Sequence, residues 1–95
     1  MFVVIGDWRM APTQAEGERQ AGLISIVDGV SRLPDLVTGY WTSSEDGASS
    51  QTFIVFRERA AAEGFAADVR GNIETQRSVG VHNVSLVIHE VTAHT

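Results

Sequence analysis

The run Gln51-Thr52-Phe53-Ile54-Val55-Phe56 decides the fold. Successive side chains of a strand point to opposite faces, so Phe53 and Val55 go one way while Ile54 and Phe56 go the other. A sheet with one wet face alternates apolar and polar residues, so a run that is apolar on both faces demands cover on both sides. Val3-Val4-Ile5 and Leu86-Val87-Ile88 make the same demand. With residues 36–41 they complete four strand-like runs, at 2–5, 36–41, 52–56 and 84–91. Helical patterns separate the first pair and the last pair, and the order reads β-α-β-β-α-β. Two helices can cover only one side of such a sheet, which leaves the second apolar face to a partner.

The strands are expected over 2–10, 36–43, 50–57 and 81–93. Thr13-Gln14-Ala15-Glu16 is a capping box, in which the Thr13 hydroxyl accepts from the Glu16 amide and the Glu16 carboxylate accepts from the Thr13 amide, so the first helix starts there. It carries Leu23, Ile24, Val27 and Val30 at three- and four-residue spacing and stops before Pro34. Gly17, Gly22 and Gly29 weaken it by roughly 1 kcal/mol each against Ala, so docking on the sheet should supply most of its stability. Asp46-Gly47, inside a polar stretch of small residues, marks a hairpin loop between the second and third strands. The second helix, over 58–70, presents Ala62, Phe65, Ala66, Val69 and Ile73 on one side, with Gly71 as its C-terminal cap. Residues 72–80 are polar and irregular, with room for a further helical turn.

Ninety-five residues with 43% hydrophobic content suit one globular domain over 1–95, short enough to favour oligomerisation. The net charge is −5, from seven Arg, no Lys and twelve acidic residues, so the basic footprint of a nucleic-acid or anionic-membrane binder is missing. There is no Cys, which excludes disulfides and thiolate chemistry. The apolar start is interrupted by Asp7 and Arg9 and lacks a basic leader, so it reads as a strand and not as an export signal. No stretch approaches membrane-spanning length. The expectation is a cytoplasmic homodimer without nucleic-acid or membrane partners.

The βαββαβ order is the ferredoxin-like α+β plan with an antiparallel sheet. Combined with the chain's length, the doubly apolar sheet, the run from Gln51 to Phe56 leading into the Ala-rich 60–67, and the ending Glu90-Val91-Thr92-Ala93-His94, it resembles the dimeric α/β-barrel superfamily of antibiotic-biosynthesis-monooxygenase-like proteins. In that family two protomers place their sheets face to face as a barrel, and each protomer's own helices enclose a pocket against its sheet. The resemblance implies a cofactor-independent monooxygenase acting on an electron-rich aromatic, or else a non-catalytic small-molecule-binding or stress-related dimer. Cofactor-independent members hold the substrate anion with Asn, Trp, Tyr and Arg groups. Haem-degrading members hold iron through a His on the second helix, where this chain has none, so no metal and no cofactor are expected.

Candidate residues follow. His82, His89 and His94 lie on or beside the last strand, where His82 and His94 would be roughly 40 Å apart at ~3.3 Å per residue. They cannot share a metal within one protomer. His89, inside an apolar run, is the candidate base, against the plainer reading of an interface histidine. Trp8, Tyr40 and Trp41 are core or interface fillers, or else a stacking wall for a planar ligand, with Tyr40 a second catalytic candidate. Tyr40 and Trp41 point to opposite faces, so only one of them lines a given pocket. Phe65 takes the aromatic position on the second helix. Arg9 and Arg57 are strand-end charges able to hold a phenolate or carboxylate, and Asn72 is a turn residue or a pocket residue. Phe53 and Phe56 fall on opposite faces, unlike the base-stacking aromatics of an RNA-recognition domain. Ser43, Ser44, Ser49 and Ser50 are loop residues without a nucleophile elbow.

Overall fold

A computed structural model describes residues 1–11 and 16–95, apart from the side chains of Glu16 and Glu18. The capping box falls on Thr13 and on the side chain of Glu16, which lie outside the described residues. The elements are β1 (Phe2–Met10), α1 (Glu16–Ser31), β2 (Leu36–Trp41), β3 (Ser49–Phe56), α2 (Arg59–Gly71), α3 (Ile73–Ser78) and β4 (Val81–Glu90). The sheet order is β2-β3-β1-β4, and every neighbouring pair is antiparallel. This is the expected ferredoxin-like α+β fold, with the further turn after α2 developed into the short helix α3.

Register turns the doubly apolar strands into two distinct surfaces. Gly39, Ile54, Val4 and Ile88 form one row across the sheet, and Trp41, Thr52, Gly6 and Leu86 the next. These rows face the helices. Val4, Ile54 and Phe56, each 1% exposed, close the core with Ala62 and Ala66 of α2 and Val30 of α1. Phe65 reinforces it from α2, its ring centroid 5.5 Å from that of Phe56. The alternate rows, Tyr40-Phe53-Ile5-Val87 and Thr38-Val55-Val3-His89, face away from the helices. None of the described elements is placed over them, and Tyr40 is 62% exposed.

Several boundaries differ from the sequence reading. β2 ends at Trp41 instead of reaching residue 43; beyond it the amides of Thr42 and Ser44 still donate to the carbonyls of Gln51 and Ser49, each at 2.9 Å, and hydroxyls join them, Thr42 Oγ1 donating to the Gln51 carbonyl at 2.7 Å and Ser44 Oγ accepting from the Ser49 amide at 3.0 Å. β4 stops at Glu90, short of residue 93, and just past it the Val91 amide donates to the Met1 carbonyl at 2.8 Å. Gly71 is the final residue of α2, and the cap is Asn72 at φ −107°, because the chain passes straight into α3 without the reversal that would need a left-handed glycine. Gly47, at φ +71°, does take that conformation in the β2-β3 hairpin.

The larger departure is α1. Its apolar stripe does not dock as a whole: Val30 is buried and Leu23 half-buried, while Ile24 is 61% exposed and Ile26 and Val27 also face solvent. The apolar residues at 23, 24, 26, 27 and 30 spread around the helix, so no single rotation buries them all. The three glycines of α1 do not bring it close to the sheet either, since a Cβ added at any of them would meet nothing within 4 Å. α1 is anchored through Val30, with Leu33 following it into the core, and its other half stands off the sheet.

Candidate functional site

The space beneath the raised half of α1 is a cleft of about 530 Å³. Arg19, Gln20 and Leu23 form its helical wall; Met10, Trp41 and Ser50 come from the sheet, and the hairpin from Thr42 to Gly47 closes its end. The cleft exists because α1 is anchored at its far end while the hairpin curls up to meet it. Arg19 joins the two, donating from Nη2 to the Gly47 carbonyl at 3.0 Å. Among the described residues this is the side chain's one hydrogen bond, which uses few of the five guanidinium donors. The hairpin itself is rigidly built. Asp46 Oδ1 accepts from Ser44 Oγ at 2.7 Å and from the Ala48 amide at 2.9 Å, and these bonds, the Ser44 hydroxyl foremost, hold its carboxyl below the usual aspartate range.

The floor is shaped by a device that the chain uses twice. In Gly6-Asp7-Trp8 and Gly39-Tyr40-Trp41 a glycine precedes each indole by two residues on the same face of a strand, so the ring can lie back along the sheet. A Cβ built on Gly6 would come within 2.5 Å of Trp8 Nε1, and one on Gly39 within 2.9 Å of Trp41 Cζ3. Trp8 is sealed: it is 8% exposed, and its Nε1 donates to Thr52 Oγ1 at 3.2 Å. Trp41 is half-buried and forms part of the cleft surface.

The residues singled out from sequence divide between two faces. Trp8, Trp41 and Phe65 lie on the helix side, although of these only Trp41 lines the cleft, and Phe65 packs into the core. Tyr40, His89 and Arg9 belong to the open face, and Arg9 is ion-paired with Asp7 at 2.9 Å. Tyr40 on β2 and His89 on β4 are edge-strand residues with β3 and β1 between them, a separation of roughly 14 Å at ~4.8 Å per strand. The two catalytic candidates therefore do not meet within one protomer. Arg57 is exposed at the end of β3, its backbone amide bonded to the Asp35 carbonyl at 2.9 Å. Asn72 serves the turn, donating from Nδ2 to the Asp68 carbonyl at 2.8 Å. A second, polar depression of about 340 Å³ lies on the open face among Asp7, Arg9, Thr42, Ser43, Ser44, Ser49 and Gln51.

Sequence reading missed Arg19 and Met10 as cleft residues and assigned Leu23 only to the stripe that docks the helix. Arg19 and Leu23, four residues apart on α1, share a helix face, and that pairing was the one available signal. No described helix is long and apolar enough to cross a membrane.

No family model matches the chain, and no curated protein sequence does. Solved structures do. A protein named as an antibiotic biosynthesis monooxygenase from Deinococcus radiodurans superposes with a TM-score of 0.78 at 13% identity, over 100% of this chain and 96% of that one. SnoaB, a cofactor-independent oxygenase from Streptomyces nogalater, superposes with a TM-score of 0.70 at 11% identity, over 98% of this chain and 94% of that one. A monooxygenase from Streptomyces coelicolor in complex with nanaomycin D gives 0.68 at 17% identity, over 99% of this chain and 89% of that one. Likeness at such identities carries the fold alone, and it is the fold that the sequence led us to expect: the chain is built like the antibiotic-biosynthesis-monooxygenase-like proteins.

Proposed function

We propose that the protein is a homodimer, sheet against sheet, and a cofactor-independent oxygenase whose electron-rich aromatic substrate occupies the cleft between α1 and the hairpin end of the sheet. The observation that carries this reading is the pairing of an indole on the cleft floor with a guanidinium at its mouth. A planar phenol stacked on Trp41 would place its oxygen within the field of Arg19, which favours the phenolate. The phenolate supplies the electrons to dioxygen. Where the reacting carbon is a ring CH₂ in tautomeric equilibrium with the phenol, one oxygen atom becomes the new carbonyl and the other leaves as water with the two hydrogens of that carbon. The residues of the chain bind and orient the substrate and stabilise its anion.

Tyr40 and His89 would then line the interior of the dimer's barrel, outside the cleft. Their placement favours a second reading, a non-catalytic dimer that binds an aromatic in the same cleft, because no tyrosine or histidine is among the described residues that line it. Oxygen uptake with anthrone, the keto tautomer of a polycyclic phenol, measured above its uncatalysed rate, separates the two. Uptake abolished in Arg19→Ala and Trp41→Ala but retained in Tyr40→Phe and His89→Ala supports the oxygenase. Calorimetric binding without uptake supports the binding dimer, and the absence of binding overturns both.

A further inference from the structure

Trp41 and Trp8 use the same construction toward different ends, and the difference points to Gly39. At Gly6 the indole is sealed and its N–H is satisfied by Thr52, so the glycine there serves packing. At Gly39 the ring folds back over an identical bare patch, with Cζ3 and Cη2 standing 2.9 and 3.0 Å from where a Cβ would be and Ile54 Cδ1 3.1 Å away. The surface of Trp41 nevertheless opens into the cleft, and no described residue accepts a hydrogen bond from its indole N–H. Glycine in the interior of a strand weakens it unless something uses the missing side chain, and a cleft floor is such a use.

We infer that Gly39 is a positioning residue for the cleft: by leaving the sheet bare beneath the outer ring of Trp41 it holds the indole down as a flat stacking floor, which sets both the depth of the cleft and its preference for planar ligands. This rests on the cleft being the binding site, as proposed above. Any side chain at position 39 strikes the outer ring atoms and lifts the indole into the space that a ligand would fill. Smaller aromatic rings at position 41 would not reach back as far, so the effect of a Cβ at 39 depends on the tryptophan.

The test uses 1-naphthol as a planar phenol that lacks the ring CH₂ of the proposed substrate, titrated calorimetrically into the protein. Gly39→Ala should weaken binding roughly tenfold, the upper range for loss of an aromatic stacking contact. It should also alter the near-ultraviolet dichroism assigned to Trp41 by comparison with Trp41→Phe. Added to Trp41→Phe, the same substitution should change affinity less than twofold, a coupling that a purely structural glycine would not produce. Equal losses in both backgrounds, or Gly39→Ala binding like wild type, overturn the inference. Should Gly39→Ala fail to fold, wild type labelled with 5-fluorotryptophan decides: on adding 1-naphthol the Trp41 resonance should move and that of Trp8 should stay, and a stationary Trp41 signal overturns the inference. If naphthol binds wild type as described but anthrone drives no oxygen uptake, the oxygenase reading fails and the role of Gly39 stands. If naphthol does not bind wild type at all, both fail.

Discussion

Phe53→Asp is the sharpest probe of the sheet-to-sheet dimer. Phe53 sits in the middle of the open face, on an inner strand, between Tyr40 and Ile5 in its row. Because the ring is already half-covered within the protomer, a partner's further burial of it is worth only about 1 kcal/mol. A carboxylate in its place, held against apolar Ile5 and Tyr40, costs about 2 kcal/mol more after relaxation. A two-fold interface carries every substitution twice, so the dimer loses about 6 kcal/mol, roughly a 10⁴-fold rise in dissociation constant. Sedimentation velocity at micromolar concentration should show a folded monomer with native far-ultraviolet dichroism. Val4→Asp provides the contrast: Val4 is 1% exposed on the helix side, and a charge there should unfold the protomer itself. Retention of a tight dimer by Phe53→Asp, or a stable wild-type monomer at that concentration, would refute the argument from the uncovered face.

Two further outcomes follow from the core and the hairpin. Phe56→Ala should destabilise the protomer by about 3–5 kcal/mol in denaturant unfolding, because Phe56 is 1% exposed and its contact with Phe65 is lost with it. The carboxyl of Asp46 is held below its unfolded value, so its contribution to stability is present above the ordinary aspartate range and is lost as pH falls through the lower, folded value. Asp46→Asn should remove that acid-side slope from a plot of unfolding midpoint against pH while leaving the slope near neutrality unchanged.

The alternation within Phe53-Ile54-Val55-Phe56 made the two apolar faces legible, because the period of a strand is fixed by its backbone and needs no tertiary information. The same parity separated Tyr40 from Trp41. Which of the two faces the helices was not legible, since it depends on where α2 docks, and that follows from its small buried residues Ala62 and Ala66. α1 misled for a related reason. Three- and four-residue spacings can be picked out of almost any helix rich in apolar residues, and Ile26, which breaks the stripe, carried the information that this helix is not anchored along its length. Arg19 was hidden because its partner is the carbonyl of Gly47, 28 residues away in sequence, and a backbone acceptor leaves no trace in residue identity. The fold was thus readable from local periodicity, whereas the cleft depends on how two distant segments lean together.

The raised half of α1 also separates two demands that usually compete in a small protein. Most of the buried core is contributed by the sheet and α2, so the chain risks little of its stability in the helix that walls the cleft. Residues at positions such as 19, 20 and 23 can therefore vary without endangering the architecture, and each variation alters what the cleft admits. A scaffold arranged in this way can acquire a new ligand by changing one helix while the remainder of the sequence stays as it is.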